Sequence, residues 1–164
     1  MNKKENYEVF HIKCLNSNHQ EIDASVRIWT GTEINPTVYQ FPTYEPYTYK
    51  GKAAMYYLEY KNEEDNVIQT KSDRINDAFY DLCSKLDKLH IKMLIKGCSY
   101  GYYMIPRLHY SIYAVKLILG KRLDKNYPRV NIFSEESDLE NIRNVKQLNE
   151  YYNEWIKSIS VIPY

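Results

Sequence analysis

The chain has 164 residues, of which 44% are hydrophobic and 26% are charged, and its formal net charge at pH 7 is +1. This length fits a single domain, residues 1–164, whose core needs neither a metal nor disulfides, and the composition excludes a disordered chain. The near-zero net charge provides no broad field for nucleic acid or an anionic membrane, so such a partner would have to recognise a local patch.

The first half of the chain predicts a series of strands. Tyr7 to Leu15 and Glu21 to Thr30 alternate apolar and polar residues, and the turn-like segment between them predicts an antiparallel hairpin. Gly31 to Pro46 contains three prolines, which predict a loop that crosses the surface. Further strands are expected at Thr48 to Lys50, Met55 to Tyr60 and Val67 to Thr70.

An amphipathic helix is predicted after these strands, with Ser72 as its N-cap. Apolar residues recur there at steps of three and four, which is the spacing of one helix face. The members of this stripe are Ile75, Phe79, Leu82, Leu86 and Leu89. We expect the stripe to pack on a sheet.

The second half predicts more strands and one terminal helix. Strands are expected at Met93 to Lys96, Tyr110 to Leu119 and Val130 to Phe133. Ser137 to Glu140 matches a capping box ahead of an amphipathic helix from Ile142 to Ile159. Together these elements predict an α+β fold, a mainly antiparallel β-sheet with two principal amphipathic helices packed on it.

The termini and the cysteines indicate a cytoplasmic protein. Met1 to Asn6 is followed by alternating polar residues and not by the apolar stretch of a signal peptide. No apolar run approaches the roughly 20 residues of a membrane helix, so no membrane partner is expected. The three cysteines, Cys14, Cys83 and Cys98, are odd in number and widely spaced, which favours reduced thiols.

The motifs that would indicate catalysis or a cofactor are missing from the sequence. No two of the four histidines have the spacing of a metal-binding pair, and the dispersed glycines form no phosphate-binding loop. We therefore predict no metal, no cofactor and no enzymatic activity. The alternative is an enzyme of unrecognised type centred on Cys98, Arg107 and His109.

Tyrosine is the most unusual component, with 18 residues against 4 Phe and 2 Trp. A phenol ring offers a large apolar face and a hydrogen-bonding tip, so tyrosine is favoured where a side chain meets a partner. Most tyrosines fall in two clusters, Tyr39 to Tyr60 and Tyr100 to Tyr113. The expected partner-binding residues are Tyr39, Tyr44, Tyr47, Tyr49, Tyr100, Tyr102, Tyr103, Arg107, His109, Glu135 and Glu136.

The second tyrosine cluster also supports an RNA- or DNA-binding module. Tyr100 to Arg122 places aromatic rings beside cations, as in proteins that bind single strands. The 22 basic residues are matched by 21 acidic ones, and no RNA-recognition motif is present. These observations favour a protein partner over nucleic acid.

Several segments resemble a small uncharacterised bacterial family. They are Val26 to Trp29, Gly97-Cys98 with the aromatic stretch to Pro106, Ala114 to Gly120, Val130 to Phe133, and Gln147 to Ser158 with Trp155. Some such proteins look like immunity proteins of contact-dependent inhibition and related polymorphic toxin systems. The shared motifs are structural, so the resemblance transfers no functional residue.

The resemblance implies a cytoplasmic antitoxin without chemistry of its own. Such an immunity protein binds a cognate toxin, and the toxin expected here is the C-terminal nuclease domain of a large exoprotein. It blocks the toxin through a protein-protein interface. The abundant tyrosines agree with this expectation, whereas inhibitors of basic nucleases are often expected to be more acidic than this chain.

Overall fold

The computed structural model describes residues 5–160. The strands are β1 (Glu5–Leu15), β2 (Glu21–Ile34), β3 (Thr37–Gln40), β4 (Glu45–Thr48), β5 (Lys52–Asn62), β6 (Val67–Ser72), β7 (Lys92–Met93), β8 (Tyr102–Tyr103), β9 (Tyr113–Lys116) and β10 (Val130–Asn131). The helices are α1 (Ile75–Lys88) and α2 (Val145–Ser160), and short 3₁₀ turns lie at Lys96–Cys98, Pro106–Leu108 and Leu139–Asn141. No helix in this part of the chain is long and apolar enough to cross a bilayer.

The main sheet has five antiparallel strands in the order β6-β5-β2-β1-β7. The predicted hairpin of β1 and β2 is confirmed. Its turn is closed by the Asn16 side chain, whose Oδ1 accepts hydrogen bonds from the Asn18 and Gln20 N–H groups at 2.9 Å. β2 runs further than predicted because its ladder with β5 continues to the pair Ile34 and Lys52.

The core lies between this sheet and the two helices, which confirms the predicted α+β fold. Alternate residues of β2 are buried from Ile22 to Ile28, as period-two patterning requires. Phe79 and Leu82 of the predicted stripe are fully buried, and α1 is fastened to β6 because the Thr70 hydroxyl donates to the Ala78 carbonyl at 2.8 Å. Leu89, the last member of the predicted stripe, follows the helix and is exposed.

The predicted N-cap of α1 is wrong. Ser72 belongs to β6, and the N-cap residue is Arg74, which makes no side-chain capping bond. The first free N–H groups of the helix, those of Ile75 and Asn76, donate instead to the His109 carbonyl at 2.8 and 3.2 Å. A distant loop therefore replaces the usual local cap.

The predicted start of the terminal helix is also shifted. The Asp138 side chain, and not the predicted Ser137, accepts a hydrogen bond from the Glu140 N–H, and it caps the 3₁₀ turn and not the helix. α2 begins later, at a reciprocal pair in which Asn144 Oδ1 accepts from the Gln147 N–H at 2.8 Å and Gln147 Oε1 accepts from the Asn144 N–H at 3.0 Å. This pair is the capping box of the helix.

The strands of the second half are shorter than predicted. β7 pairs with β1, and β8, β9 and β10 form a three-stranded sheet, while many of the other backbone bonds run between loops. The N–H groups of Lys96 and Gly97 donate to the carbonyls of Ser134 and Ile132 at 2.7 and 2.8 Å, outside any regular ladder. These loops have an apolar pattern because they cover the core, but most of their residues do not pair as strands.

The proline-rich stretch is not the loop predicted from its composition. Residues 35–51 form a second hairpin, β3 and β4, whose four pairs run from Thr37 and Thr48 to Gln40 and Glu45. Val38 on this hairpin is only 2% exposed, so the hairpin folds against the domain. Prolines are tolerated here because the two strands are edges that need few ladder donors.

Gly97 is packed so tightly that a methyl group has no room. A Cβ at this position would lie 2.7 Å from Phe79 Cζ and 2.8 Å from Ile132 Cβ. We expect Gly97→Ala to lower the free energy of unfolding by about 1–3 kcal/mol through overpacking, measured by urea denaturation. Ser137→Ala on the exposed surface is the control and should stay within about 0.5 kcal/mol of the native protein. Equal stability of Gly97→Ala and the native protein would contradict this prediction.

Candidate partner-binding surface

The β3–β4 hairpin is held at its base and at its tip by hydrogen bonds. At the base the Asn35 N–H donates to the Gly51 carbonyl at 2.8 Å, and the Gly51 N–H donates to Asn35 Oδ1 at 2.6 Å. At the tip the Tyr44 N–H donates to the Gln40 carbonyl at 2.7 Å. The hairpin is therefore a defined element and not a loosely attached loop.

Three contacts fix this hairpin to α1 and to the segment just before it. The Phe41 N–H donates to Asp77 Oδ1 at 3.0 Å, and the Phe41 ring lies 4.8 Å, centroid to centroid, from the ring of Tyr80. After β4, the Tyr49 hydroxyl donates to the Asp73 carboxylate. This hydrogen bond, together with burial, raises the pKa of Tyr49 to about 12, so the phenol stays protonated.

The hairpin presents tyrosines from the first sequence cluster to solvent. Tyr39 is 55% exposed and Tyr47 is 56% exposed, while Tyr44 is 37% exposed. The Tyr47 ring lies edge-on to Tyr49, with 4.9 Å between the ring centroids. Large rings on ordered backbone are typical anchors of protein interfaces.

Tyr110 from the second sequence cluster joins this group. Tyr110 is 62% exposed and its ring centroid lies 6.4 Å from that of Tyr56 on β5. Its hydroxyl is close enough to Tyr49 to contribute to the raised pKa of that phenol. We call the exposed Tyr39, Tyr44 and Tyr47 together with Tyr110 the tyrosine surface. It includes both faces of the hairpin, because Tyr47 pairs with Val38 and Tyr39 therefore points to the opposite face.

A buried polar cluster lies beneath the tyrosine surface. Asp77 is 3% exposed; its Oδ1 accepts the Phe41 bond, while its Oδ2 has no hydrogen-bond partner among the described residues. Burial raises the pKa of the Asp77 carboxyl to about 6 against the opposing effects of the Phe41 N–H and Arg74. Burial and Arg74 lower the pKa of His109, so its imidazole is uncharged at neutral pH.

The remaining tyrosines predicted for the partner surface point in different directions. Tyr100 is exposed beside α2, where its ring lies 4.8 Å from Tyr151 and 5.2 Å from the guanidinium carbon of Arg143. Tyr102 is half-buried between the ammonium groups of Lys96 and Lys116, at 5.6 and 6.0 Å from its ring centroid. These residues are adjacent in sequence but share no single face with the hairpin.

Tyr103 was predicted at the surface, and the structure places it in the core. It is only 6% exposed, and its ring is stacked between Tyr80 at 5.2 Å and Tyr152 at 4.2 Å. Its hydroxyl donates to Asn149 Oδ1 at 3.1 Å. Alternation along β8 turns Tyr103 inward when Tyr102 faces outward, so this ring is closed to a partner.

The charged residues predicted for the site are also separated. Arg107 is exposed beside Lys125 and Arg129, and Glu135 is exposed beside His11. Glu136 is only 5% exposed and forms an ion pair with Lys96 at 3.2 Å. Burial would raise the pKa of Glu136, but the Asp138 N–H and Lys96 outweigh it and hold that pKa below its usual value. Glu136 is therefore a structural residue.

The residues of the alternative Cys/His site do not share a cleft. Cys98 is 5% exposed and its Sγ lies 3.7 Å from Sγ of Cys83, beside a cleft of about 30 Å³. Neither Arg107 nor His109 lines that cleft. His109 is instead used through its carbonyl at the start of α1. Across residues 5–160, no three His, Cys, Asp or Glu side chains are grouped to hold a metal ion.

Sequence reasoning left Asp73 and Asp77 out of the site, and it named Tyr110 only as a member of the second tyrosine cluster. No local pattern marks the two aspartates, because each acquires its role from a contact with a distant segment. The one available signal was the placement of Asp73 and Asp77 at the beginning of a helix, where acidic residues are ordinarily explained by the helix dipole. No protein-family model matches the chain, and a search of curated proteins gives no significant match.

Asp77→Asn tests the buried carboxyl beneath the hairpin. The folded protein binds this proton more tightly than the unfolded chain, so the free energy of unfolding falls as pH rises from about 4 to about 6. Asparagine keeps the Oδ1 acceptor and removes the charge. We expect the stability of the variant relative to native to improve by up to roughly 3 kcal/mol between pH 4 and 7.5, measured by urea denaturation.

Asp81→Asn is the matched control for this series. Asp81 is partly exposed and pairs with Lys85 at 3.3 Å on the same helix. Removing its charge should give no relative gain in stability as pH rises. A stability difference between Asp77→Asn and native that stays constant across this pH range would show that the carboxyl is not the source of the effect.

Proposed function

We propose that this chain is an immunity protein that binds a cognate protein toxin and neutralises it through the tyrosine surface. The observation that carries the proposal is the projection of three tyrosines from a hairpin that is fixed at its base, at its tip and on α1. The bacterial resemblance of the sequence supports the choice of a toxin as partner.

A fixed hairpin lowers the entropic cost of binding. Side chains and loops that become ordered at an interface each reduce affinity, so a surface already held in place retains more of its contact energy. Here the main chain is held by the Asn35 and Gly51 bonds, and the Phe41 ring is packed on Tyr80. The exposed rings of Tyr39 and Tyr47 then need to lose only two side-chain torsions each.

The chemistry of the tyrosine surface suits a protein partner with polar and cationic groups. The hydroxyls of Tyr39 and Tyr47 form no hydrogen bond with any described residue, so they are available to a partner. Glu45 is exposed on the same hairpin, and Asp73 lies beneath Tyr49. Aromatic faces beside carboxylates attract Lys and Arg, which are abundant on nucleases that bind anionic substrates. We therefore propose a nuclease as the toxin.

Neutralisation requires tight binding and no reaction by this chain. The hairpin is narrow and projects several rings, so it fits insertion into a concave site or closure over its rim. In either arrangement the toxin loses access to its substrate. The working surface then consists of a few central aromatic residues with a polar border.

Alanine variants of the hairpin tyrosines test this proposal. The partner to be tested is the C-terminal fragment of the protein encoded by the gene immediately upstream, purified as a catalytically inactive variant. We expect Tyr39→Ala and Tyr47→Ala each to weaken binding at least about tenfold, which corresponds to about 1.4 kcal/mol, in isothermal titration calorimetry. Tyr47→Phe separates the contribution of the hydroxyl from that of the ring.

Tyr100→Ala is the control, because Tyr100 is 45% exposed but lies beside α2. It should change the affinity less than threefold, and circular dichroism should show all variants folded. Native affinity in both Tyr39→Ala and Tyr47→Ala would show that the interface lies elsewhere on the protein. Failure of the native protein to bind the fragment, and to protect cells that express the active toxin, would overturn the proposed function.

A further inference from the structure

A cleft of about 320 Å³ lies beside the three-stranded sheet, away from the tyrosine surface. Its aromatic and aliphatic lining includes Tyr102 on β8, Leu123 and Tyr127. Its cationic lining consists of Lys116 on β9 with Lys121 and Arg122 from the segment that follows. The cleft therefore combines an apolar interior with three positive charges.

Two of the cations in this cleft have no carboxylate partner among the described residues. Lys116 and Lys121 form no salt bridge with any carboxylate of the described chain, whereas Lys96 on the other side of Tyr102 is paired with Glu136. Asp124 is the single acidic residue that lines the cleft. The ammonium groups of Lys116 and Lys121, set against the single carboxylate of Asp124, leave a local site for an anion.

α2 holds the cationic segment in position. The Leu117 and Lys121 carbonyls accept hydrogen bonds from the Tyr151 hydroxyl at 2.7 Å and from Trp155 Nε1 at 3.0 Å. The Gly120 N–H donates to Ser158 Oγ at 2.8 Å. The backbone that carries Lys121 is thus fixed before any ligand binds, which favours binding.

The turn within this segment directs its side chains toward the cleft. The Lys121 N–H donates to the Ile118 carbonyl at 3.0 Å, and Gly120 adopts a φ of 79°, which glycine reaches without strain. Ile118 and Lys121 consequently line the same cleft from the two ends of one tight turn. The Arg122 guanidinium also contacts α2, where Nη2 donates to the Ile159 carbonyl at 3.4 Å.

We propose that this cleft binds an aromatic phosphate monoester. The aromatic group occupies the apolar interior beside Tyr102 and Tyr127, and the phosphate dianion meets the ammonium groups of Lys116 and Lys121, with Arg122 at the rim. Two ammonium groups bind a phosphate dianion more strongly than they bind a singly charged carboxylate. Free nucleotides and the terminal phosphate of an RNA strand share this chemistry, and the inference is independent of the toxin-binding proposal.

Phenyl phosphate is the probe for the first test, with the full chain observed by ¹⁵N–¹H NMR. We expect saturable shifts of the amide signals of Tyr102, Lys116 and Lys121. Phenol and inorganic phosphate, which each carry half of the recognised chemistry, should bind at least about tenfold more weakly. Binding of all three probes with equal affinity would overturn the proposal, as would the absence of saturable shifts with phenyl phosphate.

Charge-neutral variants test the assignment of the cations. The double variant Lys116→Gln/Lys121→Gln should weaken phenyl phosphate binding at least about tenfold. Lys146→Gln is the matched control, since Lys146 is exposed on α2 and does not line the cleft. Unchanged binding by the folded double variant, confirmed by its amide spectrum, would exclude this site.

Adenosine monophosphate and a short RNA then distinguish the two sources of the ligand. The RNA is used with and without its 5′ phosphate. A mononucleotide that binds at least as tightly as the phosphorylated RNA identifies a free nucleotide as the ligand. Tighter binding of the phosphorylated RNA than of either the mononucleotide or the dephosphorylated RNA identifies a strand terminus. If neither the mononucleotide nor the phosphorylated RNA displaces phenyl phosphate, nucleotide chemistry is wrong for this cleft.

Discussion

The two hydrogen bonds that the His109 carbonyl accepts at the start of α1 organise the rest of the domain. A helix must satisfy the N–H groups of its first turn, and α1 has no side-chain cap to do so. The Ile75 and Asn76 N–H groups therefore depend on a segment from the other half of the chain. This dependence joins the five-stranded sheet to the loops of the second half, and it carries Tyr110 to the edge of the hairpin.

The same helix start also receives the hairpin, at an energetic cost. Asp77 in the first turn accepts a hydrogen bond from the Phe41 N–H, and Asp73, just before the N-cap residue, accepts one from the Tyr49 hydroxyl, so the hairpin is bound at two points. Asp77 Oδ2, Asn76 Oδ1 and Arg74 Nε are buried without a hydrogen-bond partner among the described residues. Buried polar atoms without hydrogen bonds destabilise the folded protein. An apolar contact would hold the hairpin without this loss of stability. The hydrogen bonds fix the orientation of the hairpin as well as its contact with α1. A projecting recognition element requires such a fixed orientation.

Local periodicity explains which parts of this fold were predictable. β1, β2 and α1 follow patterns of period two or 3.6 that one buried face imposes, and the structure confirms them. The prediction of Ser72 as the N-cap was wrong because a serine ahead of an amphipathic helix is typical of an N-cap. In the structure Ser72 is the last residue of β6. The meeting of Tyr49 with Tyr110 depends on chain crossings that no local pattern contains. The sequence therefore identifies candidate tyrosines but does not show which of them lie near one another in the fold.

Whether a tyrosine lies in the core or at the surface depends on the hydrogen-bond partner that the fold offers to its hydroxyl. Tyr80 is fully buried, and its oxygen accepts a hydrogen bond from the Met104 N–H at 2.9 Å, while the Tyr60 hydroxyl is enclosed with Cys14 and Asn62. A buried phenol without such a partner would destabilise the core. The hairpin supplies no internal partner for the hydroxyls of Tyr39 and Tyr47, so these rings remain outside, where water satisfies them until a partner replaces it. A chain rich in tyrosine can therefore build both its core and its recognition surface from one residue type, and the position of the polar tip decides which.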